Sequence, residues 1–422
     1  MHDLRLLPRE FRLLAAGQAL SWLGTGFQTV ALAVAVVLSG GGPGQLGLVM
    51  ASSVVAMLAG TLFGGVWADR VQPQRVMVLS DVVRFVAVGA MAVMFGTGHH
   101  SIVLLCALVA VSSGAGSFFS PAMTALKPML VPAAARQSAN ATLGLLQTSS
   151  AVLGPALGGL VVAGFGSAAG FAVNAASFLA SVGTVVLIRT RAERAPREGM
   201  LRELAAGWSE VWHRAWLRDG ILAATGYHVA NGVVLVLIQV VAIRDLGGAR
   251  AAGVIAAAEG LGGVVGAAVA LRFRPAQLLR AGWLALLLMP LWVLVYVWPS
   301  ALAAVVAGAV LGYTGLSFFS VAWDTAIQDH VPHRLLARVA SWDTLASFVG
   351  MPLGAALAGP LSASFGIDRV LVGCAAVLAL ASAAPLLGRA SRTLTRLAPE
   401  PQPVEPALPN DAEWRVLAVS GD

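Results

Sequence analysis

The sequence predicts an all-α membrane protein: twelve transmembrane helices in two pseudo-symmetric six-helix halves. Three observations lead there. Of 422 residues, 58% are hydrophobic before the 47 Gly are counted, and only 11% are charged. Soluble domains reach about 45–50% apolar with Gly included and carry about 25% charged residues. Apolar stretches near the ~20 residues that a spanning helix needs recur along the chain. Short sequence landmarks also repeat at a fixed offset of 200 residues, as in Phe118-Phe119-Ser120 and Phe318-Phe319-Ser320. With a mean hydropathy of +0.82, the composition excludes a soluble multidomain chain, a disordered one, a disulfide scaffold and a collagen-like repeat.

The elements follow in order. Span 1 (13–38) comes after Arg5, Arg9 and Arg12 and ends at Gly40-Gly41-Gly42-Pro43-Gly44. Its apolar run is too long for the ~7–15-residue core of a cleaved signal peptide. Spans 2 (46–67) and 3 (74–96) are separated by Arg70 and Arg75, and span 4 (101–125) runs out at Lys127 and Arg136. Spans 5 (140–163) and 6 (168–188) are joined by a very short connection. Seven arginines from Arg189 to Arg218 follow. Spans 7 (219–243) and 8 (250–271) flank Arg244 and Arg250, and span 9 (277–298) starts among Arg272, Arg274 and Arg280. Span 10 (300–323) precedes Arg334 and Arg338, and spans 11 (340–362) and 12 (367–388) enclose Arg369.

The positive residues therefore alternate in density. With the N-terminus inside, nearly all of them fall on the inner side, and only Arg244, Arg250 and Arg369 fall outside. This bias predicts cytoplasmic termini. It also assigns the net charge of +7 to topology and not to nucleic acid. The organisation is an N-terminal half (1–188), a linker (189–218), a C-terminal half (219–388) and a proline-bearing tail (389–422) expected to be disordered. In the linker, Trp208, Trp212 and Trp216 recur at helical spacing with Leu201, Leu204 and Val211. That face reads as an amphipathic helix on the inner leaflet.

The repeat extends beyond one landmark. Val131-Pro132 returns as Val331-Pro332 and Phe165-Gly166 as Phe365-Gly366. Two related halves that rock about a midplane site are a transporter design.

Gly64-Gly65-Val66-Trp67-Ala68-Asp69-Arg70-Val71 with Gln74-Arg75, between spans 2 and 3, resembles the inner-loop signature of the major facilitator superfamily, a family that is the standard illustration of this repeat. Gln72-Pro73-Gln74 stands where the signature has a Gly and basic residues. Gln18-Ala19-Leu20-Ser21-Trp22-Leu23-Gly24, the run from Phe119 to Pro132, Ser138-Ala139-Asn140, and Gly207-Trp208 with Trp212 and Trp216-Leu217-Arg218 are similar to the macrolide/siderophore (enterobactin) exporter branch of drug:proton antiporters. Gly154-Pro155-Ala156-Leu157-Gly158-Gly159 resembles the antiporter motif in part, with Ala141 and Ser150 where that motif has Gly. Gly154, Pro155, Gly158 and Gly159 are hinge candidates, because proline frees a backbone carbonyl and small residues let helices approach.

Charges at depth need a reason. Glu259, near the centre of span 8 among glycines, is the candidate proton-coupling site. Asp81 and Arg84, at i and i+3 on span 3, read first as an ion pair, with Asp81 the second proton-coupling candidate. Gly65, Asp69, Arg70 and Arg75 are expected to latch the inner gate, with Asp343 as the partner of an arginine in that loop. The resemblance places the substrate cavity between spans 1, 4, 7 and 10 and points to Gln18, Gln28, Ser112, Ser113, Phe118, Tyr227, His228, Asn231, Tyr313, Phe319, Trp323 and Asp324. Span 4 lacks the buried arginine that many proton-coupled drug exporters of the superfamily carry. A nucleotide-binding loop, a nucleophile elbow and a His-Glu-x-x-His motif are all missing from the sequence.

The reading is a secondary transporter, not an enzyme, needing no cofactor. It exports small amphipathic organic compounds by proton antiport and alternating access. Its expected partners are lipid, the small-molecule substrate and protons; no nucleic acid is involved. It is expected to act as a monomer in a bacterial inner membrane. The alternatives are a facilitator or importer on the same fold, and a membrane sensor that moves nothing.

Overall fold

A computed structural model describes residues 7–68, 72–132, 135–188, 208–209, 211–273, 275–297, 301–332 and 335–395. The described chain is almost wholly helical. Ten of its helices are long and apolar enough to cross a membrane, and Val349–Phe365 is a shorter apolar helix. One of the ten, 49 residues from Ser138 to Val186, would be about 73 Å long if straight, more than twice a bilayer core. It is not straight. The helix Arg136–Val186 breaks at Gly166, whose φ of 80° and ψ of 172° no helix accommodates. Spans 5 and 6 are its two limbs. The twelve expected spans are thus all represented.

The repeat is visible in the backbone. Gly366 separates Leu336–Phe365 from Ile367–Leu387 with φ 81° and ψ 154°, close to Gly166 in the first half. Both turns need φ > 0, which glycine adopts without a Cβ clash. Val131 and Val331 end spans 4 and 10 in extended conformation, as residues preceding a proline prefer. Span 9 departs from expectation, because it is two short helices, Leu278–Leu286 and Leu288–Val295. Pro290 has no N–H for the Leu286 carbonyl, so the helix restarts there.

Three packing clusters show how the halves meet. At the terminus side of the first half, Phe11, Leu14, Met77, Leu126 and Val185 form a core of their own. At the terminus side of the second half, Ala270, Leu278, Phe318 and Ala322 form another. A third cluster joins Val34, Leu46 and Val49 to Val236, Ile255 and Ala358 across both halves on the far side, and continues down the second half to Trp216, Leu217 and Val331 at the terminus side. The close contacts between halves also lie from the middle to the far side. A methyl group at Gly47 would run into the Ala355 carbonyl oxygen, and one at Gly159 would come within 2.9 Å of the Gly253 Cα. Arg244 donates to the Gly41 carbonyl at 2.9 Å. Among the described residues, the close contacts between halves therefore lie away from the termini.

The linker face behaves differently from its expected place on the leaflet. Trp216 is buried, edge-on to Trp323 and His330. Trp208 stacks on Trp212 at 5.4 Å and leans on Trp342 of span 11 at 4.8 Å. Aromatic rings thus hold the described part of the linker to the second half, while Trp208 and Trp212 stay about half exposed. The rest of the linker from 189 to 207, Glu210 and the tail from 396 onward lie outside the described residues. The first tail residues are a helical turn, Arg389–Thr393, with Ser391 buried, so ordered structure runs past the expected boundary at 388.

Candidate functional site

A cavity of about 1100 Å³ belongs almost entirely to the first half. Span 1 contributes Thr25, Gln28 and Thr29; span 2 contributes Ser53, Met57 and Thr61; span 4 contributes Ser112 through Thr124. From the second half, only Gln239 of span 7 joins the described lining. The wall is built at helical spacing: 25 and 29, 53, 57 and 61, and 113, 117, 120 and 124 each mark one helix face.

Most of these hydroxyls are turned back on their own helices. Thr25 donates to the Ser21 carbonyl, Thr29 to Thr25, Thr61 to Met57, Ser117 to Gly114 and Thr124 to Ser120. Their oxygens remain as weak acceptors towards the cavity. Ser53 and Ser113 bond to each other across spans 2 and 4 at 2.7 Å. Gln28 accepts from the Asn174 amide of span 6.

One charge lies on this wall. Arg84 of span 3 is the only ionisable side chain among the described lining residues. Its Nη1 donates to the Asp81 carboxylate at 3.1 Å, and its guanidinium lies 3.8 Å from the centre of the Phe178 ring. Asp81 is fully buried behind it, beside Ser181 of span 6. Gly116 of span 4 faces the guanidinium with no side chain of its own, and a methyl there would lie 3.6 Å from Nε. The cation missing from span 4 is therefore supplied across a glycine by span 3.

The expected site residues divide into three places. Gln28, Ser112 and Ser113 line the cavity. Gln18 is buried in span 1, with its amide nitrogen unpartnered among the described residues. Phe118 is half-buried, and it is Phe119 that packs into the terminus-side core.

The second-half candidates are packed together, away from the described lining. Glu259 takes a hydrogen bond from the Tyr313 hydroxyl. Tyr296 lies close to the same carboxyl, and Tyr227 lies close to Tyr313. The hydroxyl of Tyr227 has no partner among the described residues, and neither does Asn231 Oδ1. His228 sits edge-on to Tyr227 and bonds through Nδ1 to the Ala224 carbonyl at 2.7 Å. Phe319 packs on Trp283 at 4.4 Å and stacks with Trp323. Asp324 is exposed.

At the gate, Asp343 accepts from the Trp323 indole, and Arg75 is exposed. Asp69 and Arg70 lie outside the described residues, and Gly65 is described only as part of the span 2 helix. Gln74, one of the departures from the signature, donates to the carbonyls of Val185 and Ile188 at 2.8 and 2.9 Å. It ties the start of span 3 to the end of span 6.

The hinge candidates have two faces. Methyls at Gly154 and Gly158 would meet Leu23 O and Phe27 Cα at 2.8 Å, within the first half. A methyl at Gly159 would meet Ala249 O at 2.8 Å, and one at Gly253 would meet the Pro155 carbonyl at 2.7 Å, in the contact between halves.

Reading for polar and aromatic side chains found three of the lining residues, Gln28, Ser112 and Ser113. The hydroxyl stripes and Arg84 were missed as a set. Their helical spacing was the available signal, but it does not say which face turns to a cavity.

The sequence model of the Major Facilitator Superfamily matches residues 14–355. The multidrug efflux pump Tap of Mycolicibacterium fortuitum is 28% identical over 414 residues, covering 93% of this chain and 96% of that one. The enterobactin exporter EntS of Escherichia coli O1:K1 / APEC is 28% identical over 373 residues, covering 84% and 85%. A bacterial homolog of the human lysosomal transporter Spinster, inward-facing and unoccupied, superposes with a TM-score of 0.69 at 17% identity, over 92% of this chain and 98% of that one. An auto-inhibited POT family peptide transporter reaches 0.73 at 12% identity, over 94% and 99%. The two structural likenesses concern the fold.

Proposed function

We propose a function from one premise: this chain belongs to the Major Facilitator Superfamily, so it is a multi-pass membrane transporter and not an enzyme. It exports small organic compounds from the cytoplasm of a bacterium by alternating access, in exchange for protons. The carrying observation is the one-sided cavity, drug-sized at about 1100 Å³ and closed by the inter-half contacts on the side away from the termini. The arginine bias puts the termini in the cytoplasm, so this is the state that loads from inside. The names of the efflux relatives support the same direction.

Glu259 is the proton carrier. It sits at mid-span, bonded to Tyr313, in the half opposite the cavity. Substrate and proton thus have separate sites, and they compete through conformation and not by direct displacement. Asp81, held by Arg84, is the second carrier candidate. The crossing of span 5 over span 8 at Gly159 and Gly253 is the pivot, with Gly154, Pro155 and Gly158 seating span 5 on span 1. Gly65, Asp69, Arg70, Arg75 and Asp343 close the inner gate once the halves rock together.

The test uses everted vesicles with an acidic interior, a panel of candidate compounds and a pH-sensitive dye. Compound-triggered proton leak that disappears in Glu259→Gln is the expected result. Leak that persists in the variant moves the proton site away from Glu259. Compounds that are transported with no proton leak overturn antiport.

A further inference from the structure

The described wall of the cavity carries one full charge, and its sign decides what fits. Five wall hydroxyls have already given their hydrogens to carbonyls of their own helices. Such dipoles attract a ligand cation only weakly. Arg84 is a full charge on a wall of low polarity, where Coulomb interactions weaken far less than in water. Its counter-ion does not cancel it at the surface, because Asp81 is wholly buried while Arg84 keeps a 17% exposed side chain turned to the space. The guanidinium is also held in place. Asp81 takes one N–H, Phe178 covers a face, and Gly116 leaves the path open. A planar fork fixed in this way can take a carboxylate, or another oxyanion, through two parallel bonds. Among the described lining residues there is no acid to receive an ammonium group.

We propose that this cavity selects compounds bearing a single anionic group, with Arg84 as the residue that binds it. The inference rests on the reading of the cavity as the substrate site, and it is independent of the direction of transport. Lipophilic cations are the disfavoured class, because a positive charge entering the cavity meets Arg84 with nothing on the described wall to offset it.

The experiment is a fluorescence titration of the purified full chain with three dyes on one scaffold. Dansylglycine is anionic, its amide is neutral and dansylethylenediamine is cationic. The expected order is carboxylate, amide, amine, with the carboxylate about tenfold tighter than the amide, the scale of one charge-assisted bond. Arg84→Gln removes that preference. Arg84→Lys keeps its sign but reduces its size, because the fork is lost. Arg84→Gln leaves Asp81 buried and uncompensated, so Arg84→Gln/Asp81→Asn, which removes both charges, serves as the correctly folded neutral version and must also lose the preference.

Tighter binding of the amine, an anion preference that survives in the neutral double variant, or no binding of dansylglycine to the wild-type chain each overturns the inference. Failure of the export reading would look different. The dyes would bind in the expected order, yet none would be moved into everted vesicles by the proton gradient.

Discussion

The two halves share a fold and differ in what fills them. The first half is hollow around hydroxyls and one arginine. The second half is filled by Trp283, Trp292 and Trp323, together with Tyr296 and Tyr313 beside Glu259. The matched landmarks show the divergence closely. In the first half Phe119 is the buried member of its pair and Phe118 the partly exposed one; in the second half Phe318 is buried, and Phe319 packs on Trp283. On the proposed reading, a duplicated bundle assigns binding to one copy, backed by the buried Asp81, and the Glu259 carboxyl to the other. The cavity is free of the bulk that stabilises its partner, and Glu259 lies outside the described lining.

Substitutions can break or sharpen this contrast. The largest effect is expected at Trp283, 2% exposed and wedged against Phe319 and Trp323. Trp283→Ala should cost about 3–5 kcal/mol, read as a marked fall in the melting temperature of the solubilised protein. Next comes Gly47→Val, where a backbone carbonyl of the other half blocks the new side chain. Overpacking of this kind costs about 1–3 kcal/mol, and here the strain falls on the closed far side. Thiol labelling at a cysteine placed beside Gly41 should therefore rise; unchanged labelling would mean that this contact does not seal the far side.

Gln74→Ala removes two side-chain bonds to the end of span 6 and should cost about 1–2 kcal/mol. The loss should appear as faster amide exchange at the terminus side of the first half, leaving the second half as it was. The smallest effect is expected in the hollow itself. Thr29→Val, exposed and bonded only to its own helix among the described residues, should change stability by no more than about 0.5 kcal/mol. If Thr29→Val proves as costly as Trp283→Ala, the hollow half is as tightly packed as the filled one and the contrast fails.

Much of this was legible in the chain, for reasons tied to particular residues. The spans follow from hydropathy, because a bilayer accepts backbone only when each helix satisfies its own hydrogen bonds. The breaks at Gly166 and Gly366 follow from local sterics, since the positive φ of each turn is one that only glycine adopts freely. The two-half plan follows from repetition at one register. Glu259 stood out because a carboxyl at that depth requires a partner.

Which faces meet was not legible. Hydroxyls at 113, 117 and 120, or at 25 and 29, mark a helix face, but the rotation of that helix about its axis is set by its neighbours. Arg84 reads from sequence as one member of an i, i+3 pair. Only the seating of span 3 on span 4 at Gly116 and on span 6 at Phe178 turns it into the cavity. Likewise, Tyr296 and Tyr313 are ordinary aromatic residues until spans 8, 9 and 10 bring them to one carboxyl. Local chemistry determined where the chain enters, leaves and bends in the membrane. Packing between helices, which sums small contacts over many residues distant in sequence, decided which half is hollow and which single charge faces the space.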